Sequence, residues 1–206
     1  PSAGLEILLL GPPAEHLGGS EYLRWKTGLV HGPCPSCDLA HEAALCRVLE
    51  QAARDGLLAS AHDCATGGLI VTLCESLLLG APGVGAELDL SYIARGDDAL
   101  RVELFAETAG RVLVSILPQK VSLLEDLCAS HHLPCQRLGQ TVTQAEQAAH
   151  AAAMTGAGLN DNQLPAPELG IRHQPRGLRL RVDRIHEAYE STASMLGSVA
   201  EDIALH

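Results

Sequence analysis

Apolar residues fall in short runs and in helical stripes along this chain, and the order of the two predicts most of its elements. Residues 5–11 (LEILLLG) form a continuous apolar run stopped by Gly11-Pro12-Pro13, the pattern of a buried strand. Ser20 then caps a helix opened by a glycine turn, with Glu21 at the positive end of its macrodipole. A loop at 28–37 leads to Asp38, the N-cap of an amphipathic helix in which Leu45, Val48, Leu49 and Ala52 recur at helical spacing and Gly56 closes the element. A short strand to Ala61 follows, then a turn carrying His62 and Asp63. Gly67-Gly68 opens a helix to Leu79 that is apolar on nearly every face.

Beyond it, residues 84–90 (VGAELDL), Arg111 to Leu117, Cys135 to Val142 and Leu178 to Val182 read as strands. Pro118 starts a helix bearing Val121, Leu123, Leu124 and Leu127, and a last helix runs from about Arg184 to Leu196. Residues 143–177, rich in Ala, Gln, Gly and Pro, lack sustained periodicity and read as an irregular excursion. Strands and helices alternate irregularly, which predicts one domain over 1–206, of α+β type, with a mixed sheet covered by helices.

Composition narrows the functions open to it. Aromatic residues are only 2% of the 206, so Leu, Ala, Val and Ile must build the core. The net charge of −11 argues against a nucleic-acid partner, because phosphate backbones need a basic footprint. No apolar run reaches membrane-spanning length and no signal peptide opens the chain, so a soluble protein is expected, with no membrane partner. Seven cysteines without a secretory signal fit a reducing cytoplasm.

An acidic protein can still hold a phosphorylated ligand locally, on backbone amides at a helix start. The strongest candidate is Ser60-Ala61-His62-Asp63-Cys64-Ala65-Thr66-Gly67-Gly68-Leu69. Its glycines can bring a phosphate close to bare amides, with His62 in reach to move a proton. The plainer reading is that Asp63 and Thr66 cap a helix while His62 bonds a carbonyl. Leu17-Gly18-Gly19-Ser20-Glu21 is a second such turn, weak alone. Glu107, after the only Phe, could position a substrate or a metal, though a carboxylate paired with Arg111 is the more ordinary outcome. Cys34-Pro35-Ser36-Cys37 is half a zinc site, with His31 and His41 nearby; a reduced surface turn is the simpler expectation.

Taken in order, LGGSEYL (17–23), SAHDCATGGL (60–69), GAELDL (85–90), ELFAETAGRVLVSI (103–116), LGQTV (138–142) and HEAYEST (186–192) resemble the second, carboxy-terminal AIR-synthase-type domain of phosphoribosylformylglycinamidine synthases. The LGGSEYL form favours that family over aminoimidazole ribonucleotide synthetase, hydrogenase-maturation and selenophosphate-forming relatives. The resemblance implies a three-layer α/β/α domain of an ATP-dependent ligase of purine biosynthesis. That enzyme turns formylglycinamide ribonucleotide, a phosphorylated ribonucleotide substrate, and glutamine-derived ammonia into the amidine. ATP and Mg²⁺ are held mostly by a preceding amino-terminal AIR-synthase-type domain that this chain lacks, so the chain alone is expected to be inactive. A glutaminase domain or subunit is the implied partner, and a homodimer is possible for the exposed cleft wall. The residues carried over to the cleft are His62 as the catalytic group and Gly18, Gly19, Ser20, Glu21, Asp63, Gly67 and Gly68 as substrate or phosphate contacts, with Glu107 as a possible metal ligand. Ala65-Thr66 stands where that family usually has Ser and an acidic residue. The alternative is a non-catalytic nucleotide-binding or assembly domain of the same superfamily.

Overall fold

In the computed structural model, which describes residues 2–93, 97–155, 166–173, 176–181 and 184, the run at the start of the chain becomes β1 (Glu6–Leu10), in the interior of a seven-stranded sheet. The strand order is β2-β4-β1-β5-β3-β6-β7, with β2 Leu58–Asp63, β3 Val84–Asp89, β4 Val112–Ile116, β5 Cys135–Thr143, β6 Glu168–His173 and β7 Arg176–Arg181. All neighbours are antiparallel except β3 and β6, so the sheet is mixed.

Two cores flank it, which is why β1 is apolar at every position but its first. Ile7 and Leu9 point to one face, where α3 (Gly68–Leu78) and α4 (Asp97–Phe105) supply Leu69, Ile70, Leu73, Leu77, Leu104 and Phe105. Leu8 and Leu10 point to the other, against Leu45, Val48 and Ala52 of α2 (Leu39–Arg54) and Val121, Leu124 and Cys128 of α5 (Val121–Ser130). Strands buried on both faces read as unbroken apolar runs rather than alternating ones. The layers are therefore helix, sheet, helix.

Three expectations change. His62 and Asp63 are not in a turn but are the last residues of β2, paired with Leu113 and Val112 of β4. Asp97–Phe105, unassigned from sequence, is the helix α4. The stretch 143–177 is not irregular throughout: it holds α6 (Gln144–Thr155), β6 and the start of β7. Alanine-rich sequence favours helix there. The Thr143 amide donates to Glu146 Oε2 at 2.7 Å while the Glu146 amide donates to Thr143 Oγ1 at 3.1 Å, a reciprocal capping box. Gln147 then clamps β6, accepting from the Glu168 amide at 2.8 Å and donating to its carbonyl at 2.7 Å. The helix expected from Arg184 to Leu196 lies, Arg184 apart, outside the described residues. Among the described residues no helix is long and apolar enough to cross a membrane.

Candidate functional site

The two glycine turns meet at one end of the sheet. Ser20 is the N-cap of α1 (Glu21–Thr27), its Oγ accepting from the Leu23 amide at 3.3 Å and donating to the Leu17 carbonyl at 2.6 Å. Gly67, in the left-handed region at φ 84°, is the N-cap of α3, which has no side-chain cap of its own. What joins them is Glu107, two residues past the end of α4. A single carboxylate oxygen, Glu107 Oε1, accepts from the Glu21 amide at 2.9 Å and from the Gly67 amide at 2.8 Å. Two positive helix starts thus share one internal anion, the arrangement their dipoles favour.

Packing explains why glycine opens α3. Gly68 has φ 71°, and a Cβ there would sit 2.8 Å from the carbonyl oxygens of Leu104 and Ala106, so only glycine lets the start of α3 close onto the end of α4. From the same end of α4, Phe105 stacks on Tyr22 of α1, their centroids 4.7 Å apart. Tyr22 in turn lies 6.2 Å from Trp25, which Lys26 overhangs. Gly18 is also fixed by contact, since its Cβ would run into the backbone of Pro33.

The amides of the first turn are spent on building it. Gly18 N–H donates to His16 Nδ1 at 3.1 Å, Gly19 N–H to the His31 carbonyl at 2.9 Å, and Ser20 N–H to the Leu17 carbonyl at 3.1 Å. Gly68 N–H donates to the Ala65 carbonyl at 3.1 Å. The expectation of bare amides facing a common guest is therefore corrected: each of these N–H groups has a partner within the chain.

Glu107 does not pair with Arg111. Arg111 is fully buried and bonds Glu103 of α4, while its Nε and Nη1 have no partner among the described residues. Glu103 also receives the Ala14 amide and the Tyr92 hydroxyl, both at 3.4 Å. Burying two opposite charges together is what makes either tolerable. Beside them lies Cys64, whose thiol burial pushes up while the Arg111 guanidinium pulls it back.

His62 stands apart from the paired turns. Its Nε2 lies 3.4 Å from Glu75 Oε2, and its Nδ1 lies 3.0 Å from the Asp63 carbonyl and 3.6 Å from Asp63 Oδ1. Glu75 is seven residues beyond Gly68, about 10 Å along α3. The imidazole thus sits beside the body of that helix, and the Asp63 carboxylate is largely exposed. Gly18, Gly19, Ser20, Glu21, Gly67, Gly68 and Glu107 are brought together; His62 and the Asp63 side chain are not among them.

Among the described residues no group of three or more His, Cys, Asp or Glu side chains could hold a metal ion. Glu107 is engaged by amides, Cys34 and Cys37 are exposed free thiols, and His41 Nε2 faces the Gly110 carbonyl at 3.3 Å. Sequence reasoning missed Glu103 and α4 together. No local signal singles out Glu103, since both it and Glu107 lie a few residues before Arg111 in the sequence.

Fold and site define the class: a three-layer α+β domain whose glycine-opened helix starts converge at one end of a mixed sheet. Residues 2–151 match the family model described as AIR synthase related protein, C-terminal domain, and the chain belongs to that family. It is 38% identical over 190 residues to the phosphoribosylformylglycinamidine synthase subunit PurL of Thermobifida fusca (strain YX), an alignment covering 92% of this chain and 21% of that protein. Among solved structures, PurL of Thermotoga maritima complexed with FGAR superposes with a TM-score of 0.65 at 18% identity, covering 89% of this chain and 28% of the other. PurLQS from the same organism does so with a TM-score of 0.59 at 19% identity, covering 88% and 26%. At such identities the structural likeness is one of fold. The chain spans about a fifth of the length of the curated relative, 21%.

Proposed function

We propose that this chain is the carboxy-terminal domain of a phosphoribosylformylglycinamidine synthase, the ATP-dependent ligase that forms formylglycinamidine ribonucleotide in purine biosynthesis. The observation that carries this is the 38% identity to a PurL subunit extending over 92% of the chain. In this reading ATP activates the formylglycinamide oxygen as a phosphate ester and ammonia displaces the phosphate. The chain contributes a wall of the cleft, from Gly18, Gly19, Ser20, Glu21, Gly67 and Gly68. His62 and Asp63 form a separate polar patch on β2 beside it. In the same reading Mg²⁺ neutralises the nucleotide phosphates, and ion and nucleotide are held mostly by an amino-terminal domain. The partners are that amino-terminal domain, a glutaminase domain or subunit supplying ammonia, and a second copy of the chain; the setting is the cytoplasm.

One observation favours the second reading, a non-catalytic nucleotide-binding or assembly domain. The amides of Glu21 and Gly67 are already held by Glu107, so phosphate would have to displace an internal carboxylate. Replacing the corresponding domain of the Thermobifida fusca protein with this chain separates the two. Amidine formation from formylglycinamide ribonucleotide, ammonium chloride and ATP by the chimera is expected, and a folded chimera that binds ATP but makes no product would sink the ligase assignment. His62→Ala in the chimera should then lower kcat at least tenfold if the ligase reading holds for that residue. Unchanged turnover with a lowered Tm would restrict His62 to structure.

A further inference from the structure

Leu17-Gly18-Gly19-Ser20, the turn on which α1 begins, is held mostly by backbone. The His31 and Leu17 carbonyls accept from the Gly19 and Ser20 amides at 2.9 and 3.1 Å. One bond differs in kind. The Gly18 amide donates to an imidazole nitrogen, Nδ1 of His16, at 3.1 Å. A backbone N–H can only donate, so Nδ1 must present its lone pair; the ring is then neutral, with its proton on Nε2. The bond runs from residue i to i+2, a loop that Asn and Asp side chains commonly close with an oxygen. Here a nitrogen that can be protonated takes the place of that oxygen.

The other imidazoles with described bonds face acceptors. His41 Nε2 lies 3.3 Å from the Gly110 carbonyl. His62 Nδ1 lies 3.0 Å from the Asp63 carbonyl, and its Nε2 lies 3.4 Å from Glu75 Oε2. Either ring keeps its partners on taking a proton, because each nitrogen becomes a donor. At His16 the same proton turns Nδ1 from acceptor to donor and sets it against the Gly18 N–H. The side chain is 34% exposed, so water reaches it without unfolding.

A second partner stands beside the ring. Glu15 Oε2 is 4.0 Å from His16 Nε2, the one ion-pair partner of this imidazole among the described residues. Ser36 Oγ donates to the other oxygen, Oε1, at 2.6 Å. That bond holds the Glu15 carboxyl below its usual value, so it stays charged while an imidazole titrates. The Glu15 amide is itself tied to Thr108 Oγ1 at 3.3 Å. The nearby carboxylates of the turn are committed elsewhere, Glu21 to Arg24 and Glu107 to two backbone amides.

We propose that His16 is a proton-operated latch on the first glycine turn. The neutral ring holds the Gly18 amide; a proton taken from water at Nδ1 breaks that bond and leaves the imidazolium to pair with Glu15. The latch is therefore closed when the ring is neutral, and it opens as pH falls through the titration of His16. The turn carries Ser20, the N-cap of α1, and leads into the Glu21 amide that Glu107 holds, so acid loosens the start of α1.

The test follows the 206-residue chain, labelled with nitrogen-15, by NMR from about pH 8 to about pH 6, within the interval where imidazoles change charge. At the alkaline end the His16 ring nitrogens should show the proton on Nε2. The Gly18 amide proton should move upfield as its acceptor is withdrawn, with the same midpoint as the His16 ring. His16→Asn supplies an acceptor oxygen for the same i to i+2 bond and removes the titration, so its Gly18 amide should hold one position throughout. The proposal is overturned by a proton on Nδ1 at the alkaline end, or by a Gly18 amide that stays still while His16 titrates. It is equally overturned if Gly18 still titrates in His16→Asn, which would assign the effect to His31 in the neighbouring loop.

Discussion

Glu107 is where residue-level reading and structure come closest and still differ. Its position after the only Phe marks it as a candidate in the sequence, but the partner suggested by proximity, Arg111, belongs to Glu103. Sequence neighbours compete for charges, and only the helical turn of α4 decides which carboxylate faces the buried guanidinium. Because one Glu107 oxygen serves two backbone amides, removing it orphans donors at two helix starts. Glu107→Ala should cost about 2–4 kcal/mol in urea unfolding, since hydrogen bonds to a charged group are worth about twice neutral ones. Glu107→Gln keeps an acceptor oxygen and should lose roughly half as much. Equal losses from the two variants would mean that packing, not the shared anion, holds the turns together. His62 stands near Gly67-Gly68 in sequence, yet its imidazole lies beside Glu75 in the body of α3. Along a strand and a helix that share a sheet edge, such nearness is quickly lost.

At the scale of elements, most strands were legible because burial on both faces leaves runs such as LEILLLG, and α2 because its apolar stripe is regular. α4 escaped because its apolar positions are few and set among Asp97, Asp98, Arg101 and Glu103. α6 escaped for a different reason. Its Ala- and Gln-rich composition carries no apolar stripe, and its one start signal is the short Thr143-x-x-Glu146. That box anchors more than its own helix, because Gln147, one turn inside, holds the backbone of β6. Thr143→Ala should therefore cost about 1 kcal/mol. It should also speed hydrogen exchange at the Glu168 amide, measured by NMR; exchange unchanged at Glu168 would separate the cap from the strand. Register, such as the parallel pairing of β6 with β3, was not legible, since it depends on which surfaces remain after the helices have packed.

For the molecule as a whole, the sheet is a partition with apolar contents on both sides. Consecutive residues of β1 serve opposite compartments: Leu8 lies in the α2–α5 core and Leu9 in the α3–α4 core. Truncation of either to Ala should cost about 3 kcal/mol, the usual range for a buried leucine. Both variants should still unfold in a single step by circular dichroism, because neither core can persist without the strands they share. Two resolved transitions in either variant would show that the halves melt independently. The convergent glycine turns depend on this partition, since α3, which carries one of them, packs on a sheet that also bears the opposite core.

The tilted stack of Phe105, Tyr22 and Trp25 has a practical corollary. Trp25 is the single indole of the chain, partly open to solvent and one turn from the amide that Glu107 holds. Its ultraviolet emission will consequently act as a built-in gauge of that end of the molecule. A blue shift would register the arrival of a neighbour that excludes water there, without any label having been attached.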